Sequence, residues 1–413
     1  MDIGKIRYWE HPSKTKCVFV EKKDSPLVSI DIWCKAGILF EEKDKDGIAH
    51  FLEHMIFKGS KLLKPGEFDF KIESLGGLSN ASTGYDDVHY YVDIPSSNLE
   101  EALYLLTNLV FKPNLNINEF ELEKEVVIEE IMQNYDQKDE RIFNHFLKRV
   151  WLNSPYSKSI LGSEENIRKL NLNELIKFHQ KQYIRDNTCI AIAGDLPKNL
   201  LDIMANCKIS YLGSNQSTLD RKSSTYKTIR HGRELFLFDD LEFSRIIMAL
   251  GVPRAKEKKH ILGYEILSSI LTDGRNSILN RVLKEDLQIV ESVYTGVHSG
   301  EYGSLFIIEA SCREKYLNKV ERTILNLLEK SISTNDIIQR KDKAIRIIKS
   351  NYFFNLESSS QLASFFGNNL LWGRLNPQLD LIKNLEYWEK RKNIEQLTDL
   401  FNKDKFTFIA SKK

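Results

Sequence analysis

The sequence predicts an α+β protein made of two homologous αβ domains, and three observations carry that expectation. At 413 residues the chain exceeds what one compact core usually organises, which favours two domains. Strand-like and helix-like stretches are interspersed along it. A segment from about Lys208 to Arg233 (KISYLGSNQSTLDRKSSTYKTIRHGR) is rich in Ser, Thr, Gly and basic residues and poor in apolar ones, as linkers are. Beyond it the pattern of elements starts again. The expected limits are 1–212 for the first domain, 213–233 for the linker and 234–413 for the second domain.

In the first domain Cys17–Glu21 and Leu27–Ala36 alternate or run apolar as strands. Gly47–Phe57 reads as a helix. Pro65–Leu75 reads as a second helix, opened near a proline and stopped by Gly76-Gly77. Tyr90–Ile94 is a strand and Leu99–Leu109 a helix. Asn118–Gln133 (NEFELEKEVVIEEIMQ) is full of strong helix formers and free of Gly and Pro. Helices over Asp139–Trp151 and Asn173–Tyr183 and a strand at Thr188–Ala193 complete the set. After the linker, Glu234–Phe238 and Ser244–Leu250 read as strands and His260–Leu271 and Ser277–Leu287 as helices. Strands at Ser292–Val297 and Leu305–Ala310 and a helix at Lys315–Lys330 follow.

The residues that carry chemistry sit in Gly47-Ile48-Ala49-His50-Phe51-Leu52-Glu53-His54-Met55. His50, Glu53 and His54 stand at i, i+3 and i+4, so a helix projects all three from one face. Two neutral imidazoles one turn apart can each give a nitrogen to one Zn²⁺ at roughly 2.0–2.1 Å. The carboxylate between them then lies beside the metal's open position, placed to take a proton from water. This H-x-x-E-H order is the inverzincin signature. The competing interpretation, two ordinary histidines and a surface glutamate, fits poorly with the apolar Phe51, Leu52, Met55, Ile56 and Phe57 around them, because buried polar groups need partners.

A catalytic zinc site usually has a third protein ligand. On the helix at 118–133, Glu123 and Glu130 lie seven residues apart and share a face. For Glu121, Glu125 and Glu129 a solvated acidic face is the better reading. Spacing alone does not choose among these glutamates.

A net charge of +1 gives no electrostatic reason to expect nucleic acid or an anionic membrane as partner. The 42% hydrophobic and 28% charged content is that of a soluble globular protein. No run of 18 apolar residues exists, so no membrane span is expected. The five cysteines have no C-x-x-C spacing and sit mostly in apolar stretches, as reduced, buried side chains do. The N-terminus lacks the apolar core of a secretory signal. The expected location is cytoplasmic, or wherever a leader absent from this chain delivered it.

HFLEHMIFKGS, KIESLGGLSNASTGYDDVHYY and ELEKEVVIEEI, with SPYSKSILGSEENIRKLNLNELIKFHQKQYIRDNTCIAIAGDL further on, resemble the pitrilysin/insulinase family of zinc metallopeptidases. The similarity is greatest to the short-chain branch that includes the mitochondrial processing peptidase β-subunit. It covers most of residues 14–380 and is strongest before residue 200. The resemblance implies two duplicated domains, each a mostly antiparallel sheet packed with helices, facing each other across a substrate cavity. It implies one Zn²⁺ per chain, held by His50, His54 and a glutamate about 76 residues beyond the second histidine; 130 − 54 = 76 points to Glu130. Glu123 would support the site and Glu53 would be the general base. Asn80 and Ala81 match a sheet-edge strand that pairs with substrate peptide in the family. The second domain, with Tyr264-Glu265-Ile266-Leu267-Ser268 on the matching helix, should hold no metal.

The expected activity is therefore zinc endopeptidase action on unfolded peptides or presequence-like segments; the alternative is a non-catalytic peptide-binding or structural subunit. One departure bears on this. Active single-chain members carry an Arg and, seven residues on, a Tyr after a Gly-rich turn, and the matching positions here are Lys284 and Glu291. Lysine loses the fork geometry of arginine, and an ionised glutamate cannot donate as a phenol does. The resemblance thus implies a homodimer or a heterodimer in which a homologous subunit supplies the Arg/Tyr pair.

Overall fold

A computed structural model describes residues 4–211, 229–330, 335–391, 397, 399–402 and 405–413. Two compact units emerge. The first comprises residues 4–134, 158–211 and 353–377; the second comprises 135–157, 229–352 and 378–413 within the described residues. The linker expected at 213–233 lies outside the described residues up to position 228.

The first unit holds a six-stranded sheet of β1 (Lys5–Glu10), β2 (Lys16–Glu21), β3 (Leu27–Cys34), β4 (Leu78–Thr83), β5 (Val88–Pro95) and β6 (Thr188–Gly194). The order is β1-β2-β6-β3-β5-β4, with β2 and β6 parallel and every other neighbouring pair antiparallel. β6 is buried along its whole length, as the near-continuous apolar run TCIAIAG requires of a central strand. On β5, Val88, Tyr90, Val92 and Ile94 alternate inward, and this face carries the helices α1 (Ile48–Phe57), α2 (Glu67–Ser74) and α3 (Leu99–Phe111). α4 (Ile117–Asp136) follows.

The opposite face of β2, β6 and β3 is covered by a helix from far along the chain, Ser359–Leu371. Leu362, Ala363, Phe366 and Leu370 pack there against Val18, Val20, Trp33 and Ala191. Gly367 allows the close approach: a Cβ there would stand 2.5 Å from Trp33 Cδ1.

The second unit repeats the plan. β7 (Gly232–Phe238), β8 (Ser244–Val252), β9 (Ser292–His298), β10 (Ser304–Cys312) and β11 (Phe406–Lys412) form a sheet in the order β7-β11-β8-β10-β9. β7 and β11 are parallel and the rest antiparallel. A parallel pair followed by three antiparallel strands therefore recurs, β2-β6-β3-β5-β4 in one unit and β7-β11-β8-β10-β9 in the other. Here too a sequence-distant helix serves the sheet: Phe146, on the helix Lys138–Val150, meets Phe406 and Phe408 of β11. Both exchanges cross the boundary that composition suggests. The helix expected at Ser277–Leu287 forms largely as a π-helical stretch over Asn280–Asp286.

The sequence reading offered no counterpart for β1, the helices Glu164–Lys169, Leu200–Asn206, Asn335–Asn355, Ser359–Leu371 and Pro377–Lys390, or β11. Among the described residues no helix is long and apolar enough to cross a membrane, and all five cysteines are buried and unpaired.

Candidate metal centre

α1 carries two stripes. Ile48, Phe51, Leu52, Met55 and Ile56, at i, i+3, i+4, i+7 and i+8, are buried, the pattern of a core-facing helix. His50, Glu53 and His54 form the neighbouring stripe. The helix opens at Gly47, whose φ of +96° is costly for any residue with a Cβ. A Cβ there would also stand 2.7 Å from the Leu161 carbonyl oxygen. No side chain caps the helix locally. The buried Glu41 does so from six residues upstream, its Oε1 accepting the Gly47 and Ala49 N–H groups at 3.0 and 3.1 Å. Burial pushes the Glu41 carboxyl up to about 8.

α4 buries Phe120, Glu123, Lys124, Val127 and Ile128, again at i, i+3, i+4, i+7 and i+8, and so turns Glu123 and Glu130 toward α1. One ligand atom from each of His50, His54 and Glu130 can be chosen so that all lie within 4.8 Å of one another. His50 Nε2 is 3.6 Å and His54 Nε2 3.2 Å from Glu130 Oε2. Two imidazole nitrogens and a carboxylate oxygen converging from two helices suit Zn²⁺ in donor type and number.

The surroundings prepare those donors. His54 Nδ1 lies 2.9 Å from Glu123 Oε1; the carboxylate fixes the proton on Nδ1 and leaves Nε2 to face Glu130, as carboxylate–histidine pairs do at zinc sites. Glu123 is 5% exposed, and its other oxygen takes Lys58 Nζ at 2.6 Å. These partners outweigh burial and hold Glu123 below the usual carboxylate range. Burial pulls His50 down to about 4, with the neighbouring His54 adding to the effect. Burial also works against a charge on His54, but its hydrogen bonds to Glu123 and Glu130 prevail and lift it to about 9. The hydrogen bond to His54 leads in holding Glu130 below its ordinary value. His50 Nδ1 is buried without a hydrogen-bond partner.

Glu53, beside the trio, accepts a hydrogen bond from the Thr83 hydroxyl at the end of β4. Burial raises its pKa, and the Thr83 bond only partly offsets this. β4 is the edge strand of its sheet. It presents Asn80 opposite Tyr91 and Ala81 opposite Tyr90, and the Ala81 N–H is held by the Asn80 side-chain oxygen at 2.8 Å. His89, on β5, pairs with Asp31 at 3.1 Å and stacks on Trp33.

Thr83, Lys58 and Glu41 escaped the sequence reading. Lys58 had a usable signal, standing one helical turn beyond His54 (i, i+4); Thr83 and Glu41 are brought in by tertiary structure alone.

In the second unit the helix Lys258–Thr272 turns hydroxyls toward β9. Ser268 and Thr272, four residues apart, bond Thr295 of β9 through their hydroxyls at 3.0 and 2.8 Å. That cluster is closed on itself. Among the described residues no other set of three His, Cys, Asp or Glu side chains converges as His50, His54 and Glu130 do. Lys284 lies in the π-helical stretch and Glu291 just ahead of β9, its N–H bonded to the Ser311 carbonyl. Arg281 is 3.9 Å from Asp286, and Tyr294 is exposed on β9.

Comparison with known proteins agrees with this layout. Residues 16–164 match the family model described as insulinase (peptidase family M16), and residues 169–340 match the one described as peptidase M16 inactive domain. A zinc protease PqqE of Helicobacter pylori is 27% identical over 84% of this chain and 78% of its own. A probable mitochondrial-processing peptidase subunit beta of Arabidopsis thaliana is 23% identical over 87% of this chain and 69% of its own. Among solved structures, a protease from Helicobacter pylori superposes with a TM-score of 0.87 at 24% identity, covering 99% of this chain and 100% of that one.

Proposed function

Because this chain belongs to the insulinase (M16) peptidase family, we propose that it is a zinc-dependent endopeptidase that hydrolyses unfolded peptides or presequence-like segments. The observation that carries this reading is the convergence of His50, His54 and Glu130 within 4.8 Å next to a partly buried carboxylate, Glu53. His50, His54 and Glu130 are the ligands, one zinc ion per chain. A zinc ion held there would supply Lewis-acid polarisation of a peptide carbonyl and would acidify water.

The chain's own groups do the rest. Glu53 is the general base, receiving a proton at its carboxylate and passing it to the leaving amine. Burial raises its pKa, the direction that favours a group which must both take and return a proton. Thr83 keeps that carboxylate in one orientation, and Glu123 keeps His54 in the ligating tautomer. Asn80 and Ala81 on the β4 edge bind substrate as an added strand, in which backbone pairing supplies affinity for any extended sequence.

Lys284 and Glu291 mark this chain as one half of a dimer with a homologous subunit that contributes the Arg/Tyr pair. The five buried, unpaired cysteines suit the cytoplasm as its location. The test is cleavage of a quenched fluorescent peptide by wild type and Glu53→Gln, with the homologous partner present. Glu53→Gln should keep its zinc and lose about 10²–10⁴ in rate. Equal cleavage by the two proteins would favour the non-catalytic subunit instead.

A further inference from the structure

Two features of Lys58 stand outside the proposed reaction. It is the residue at the C-terminal cap of α1, one turn after His54, and its ammonium lies 2.6 Å from the one oxygen of Glu123 that His54 does not use. Glu123 is almost wholly enclosed, with one oxygen bonded to His54 and the other in an ion pair with Lys58. A carboxylate enclosed in this way with one oxygen unmatched is strongly disfavoured and turns to find another partner. A turned carboxylate gives up the bond to His54 Nδ1 and releases the ring.

We propose that Lys58 is a positioning residue for the metal centre: by pairing with Glu123 it fixes the carboxylate that in turn holds the His54 ring with Nε2 toward the ligand set. The inference rests on the reading of His50, His54 and Glu130 as zinc ligands. It adds a third layer, cation to carboxylate to imidazole to metal, built from residues of α1 and α4. The layer is economical in sequence, because one helical turn spaces both the two histidines and the second histidine from the lysine. The long, flexible lysine stem allows a compact charge to reach an enclosed oxygen from a helix end that is itself part-exposed. The side chain is 31% exposed against 6% for Glu123, so the cation remains hydrated on one side while the carboxylate does not.

The test is zinc affinity of the full-length chain, measured by competition with a chromophoric chelator, for wild type, Lys58→Met, Lys58→Arg, Glu123→Gln and the Lys58→Met/Glu123→Gln double variant. Partners of a ligating histidine typically carry 10–100-fold in metal affinity. Lys58→Met should lose on the order of tenfold, Lys58→Arg should restore most of it, and Lys58→Met should lose nothing further in the Glu123→Gln background. The visible absorption of the Co²⁺-loaded chain should change in Lys58→Met and return in Lys58→Arg, a readout that general destabilisation would not move.

Wild-type affinity in Lys58→Met, or an undiminished loss when Glu123 is already neutral, overturns the proposal. If Lys58→Met does not fold, the double variant decides: it removes both charges of the pair together, and its affinity must equal that of Glu123→Gln. Failure of the wild-type chain to bind zinc would instead strike the ligand assignment, a separate and distinguishable outcome.

Discussion

His54 Nε2 stands 3.2 Å from Glu130 Oε2, although the two residues come from different helices and are 76 positions apart (130 − 54). α1 and α4 achieve this because each buries an i, i+3, i+4, i+7, i+8 stripe, which fixes how each helix is rotated about its axis. The stripe of His50, Glu53 and His54 is what α1 then turns toward Glu130. Loss of a ligand should therefore leave the fold and remove the metal. Glu130→Gln and His54→Ala are expected to keep the wild-type circular dichroism spectrum and weaken zinc binding by well over the 10–100-fold associated with supporting residues. Dialysis followed by metal analysis measures this; retention of zinc by either variant would show that the ligands lie elsewhere.

Metal uptake should release a proton. His54, lifted to about 9 by its carboxylate partners against the opposing effect of burial, is protonated at pH 7, whereas a ligating imidazole must be neutral. Affinity should then rise about tenfold per pH unit between roughly pH 7 and 9 and level off above. Calorimetric titration at pH 7 in buffers of different ionisation enthalpy reads the proton count directly. A buffer-independent heat would contradict the assignment.

Glu41 gives a stability prediction with a definite sign. Its pKa is raised to about 8 by burial from a reference of 4.5, so the folded chain holds this proton more tightly than the unfolded one does. The associated stability is complete below pH 4.5 and is lost as pH rises through about 8. Glu41→Gln keeps the acceptor for the Gly47 and Ala49 N–H groups and never ionises. It should match wild type at low pH and exceed it above pH 8 by on the order of a few kcal/mol, read from denaturant midpoints. Lower stability of Glu41→Gln at pH 9 would mean that the ionised form is the one the fold prefers.

Gly47→Ala should cost about 1–3 kcal/mol, the usual penalty for a residue forced into a sparsely populated backbone region. The approach of its new Cβ to the Leu161 carbonyl, 2.7 Å, adds to that. Urea unfolding at neutral pH checks the value, and an unchanged midpoint would show that α1 can begin differently.

These predictions also show what the sequence made legible. The motif helix could be read because its apolar and polar residues separate onto two faces within ten positions. Spacing did not single out Glu130, because several glutamates on one helix look alike; that choice rested on the family resemblance. β1 went unread because its burial alternates irregularly and only β2 pairs with it. The helix Ser359–Leu371 is locally plain; its role beneath Val18, Trp33 and Ala191 depends on a partner sheet more than 160 residues away in sequence (359 − 194 = 165). Glu41 and Thr83 likewise acquire their roles only through tertiary contacts. Periodicity reports which face is buried, not which distant element buries it.

The dimer reading predicts that the isolated chain is a poor enzyme for a local reason. Lys284→Arg together with Glu291→Tyr should raise peptide cleavage by the chain alone by on the order of tenfold or more, the scale of restoring a group that stabilises developing charge. Comparison of kcat/KM with and without the homologous subunit provides the reference. Full activity of the unmodified chain by itself would contradict the shared-site arrangement.

The most direct test of the account is zinc stoichiometry of the purified full-length chain, determined by elemental analysis beside His50→Ala. One equivalent in wild type and none in the variant is the result predicted. No zinc in a folded wild-type chain, or an undiminished equivalent in His50→Ala, would contradict it.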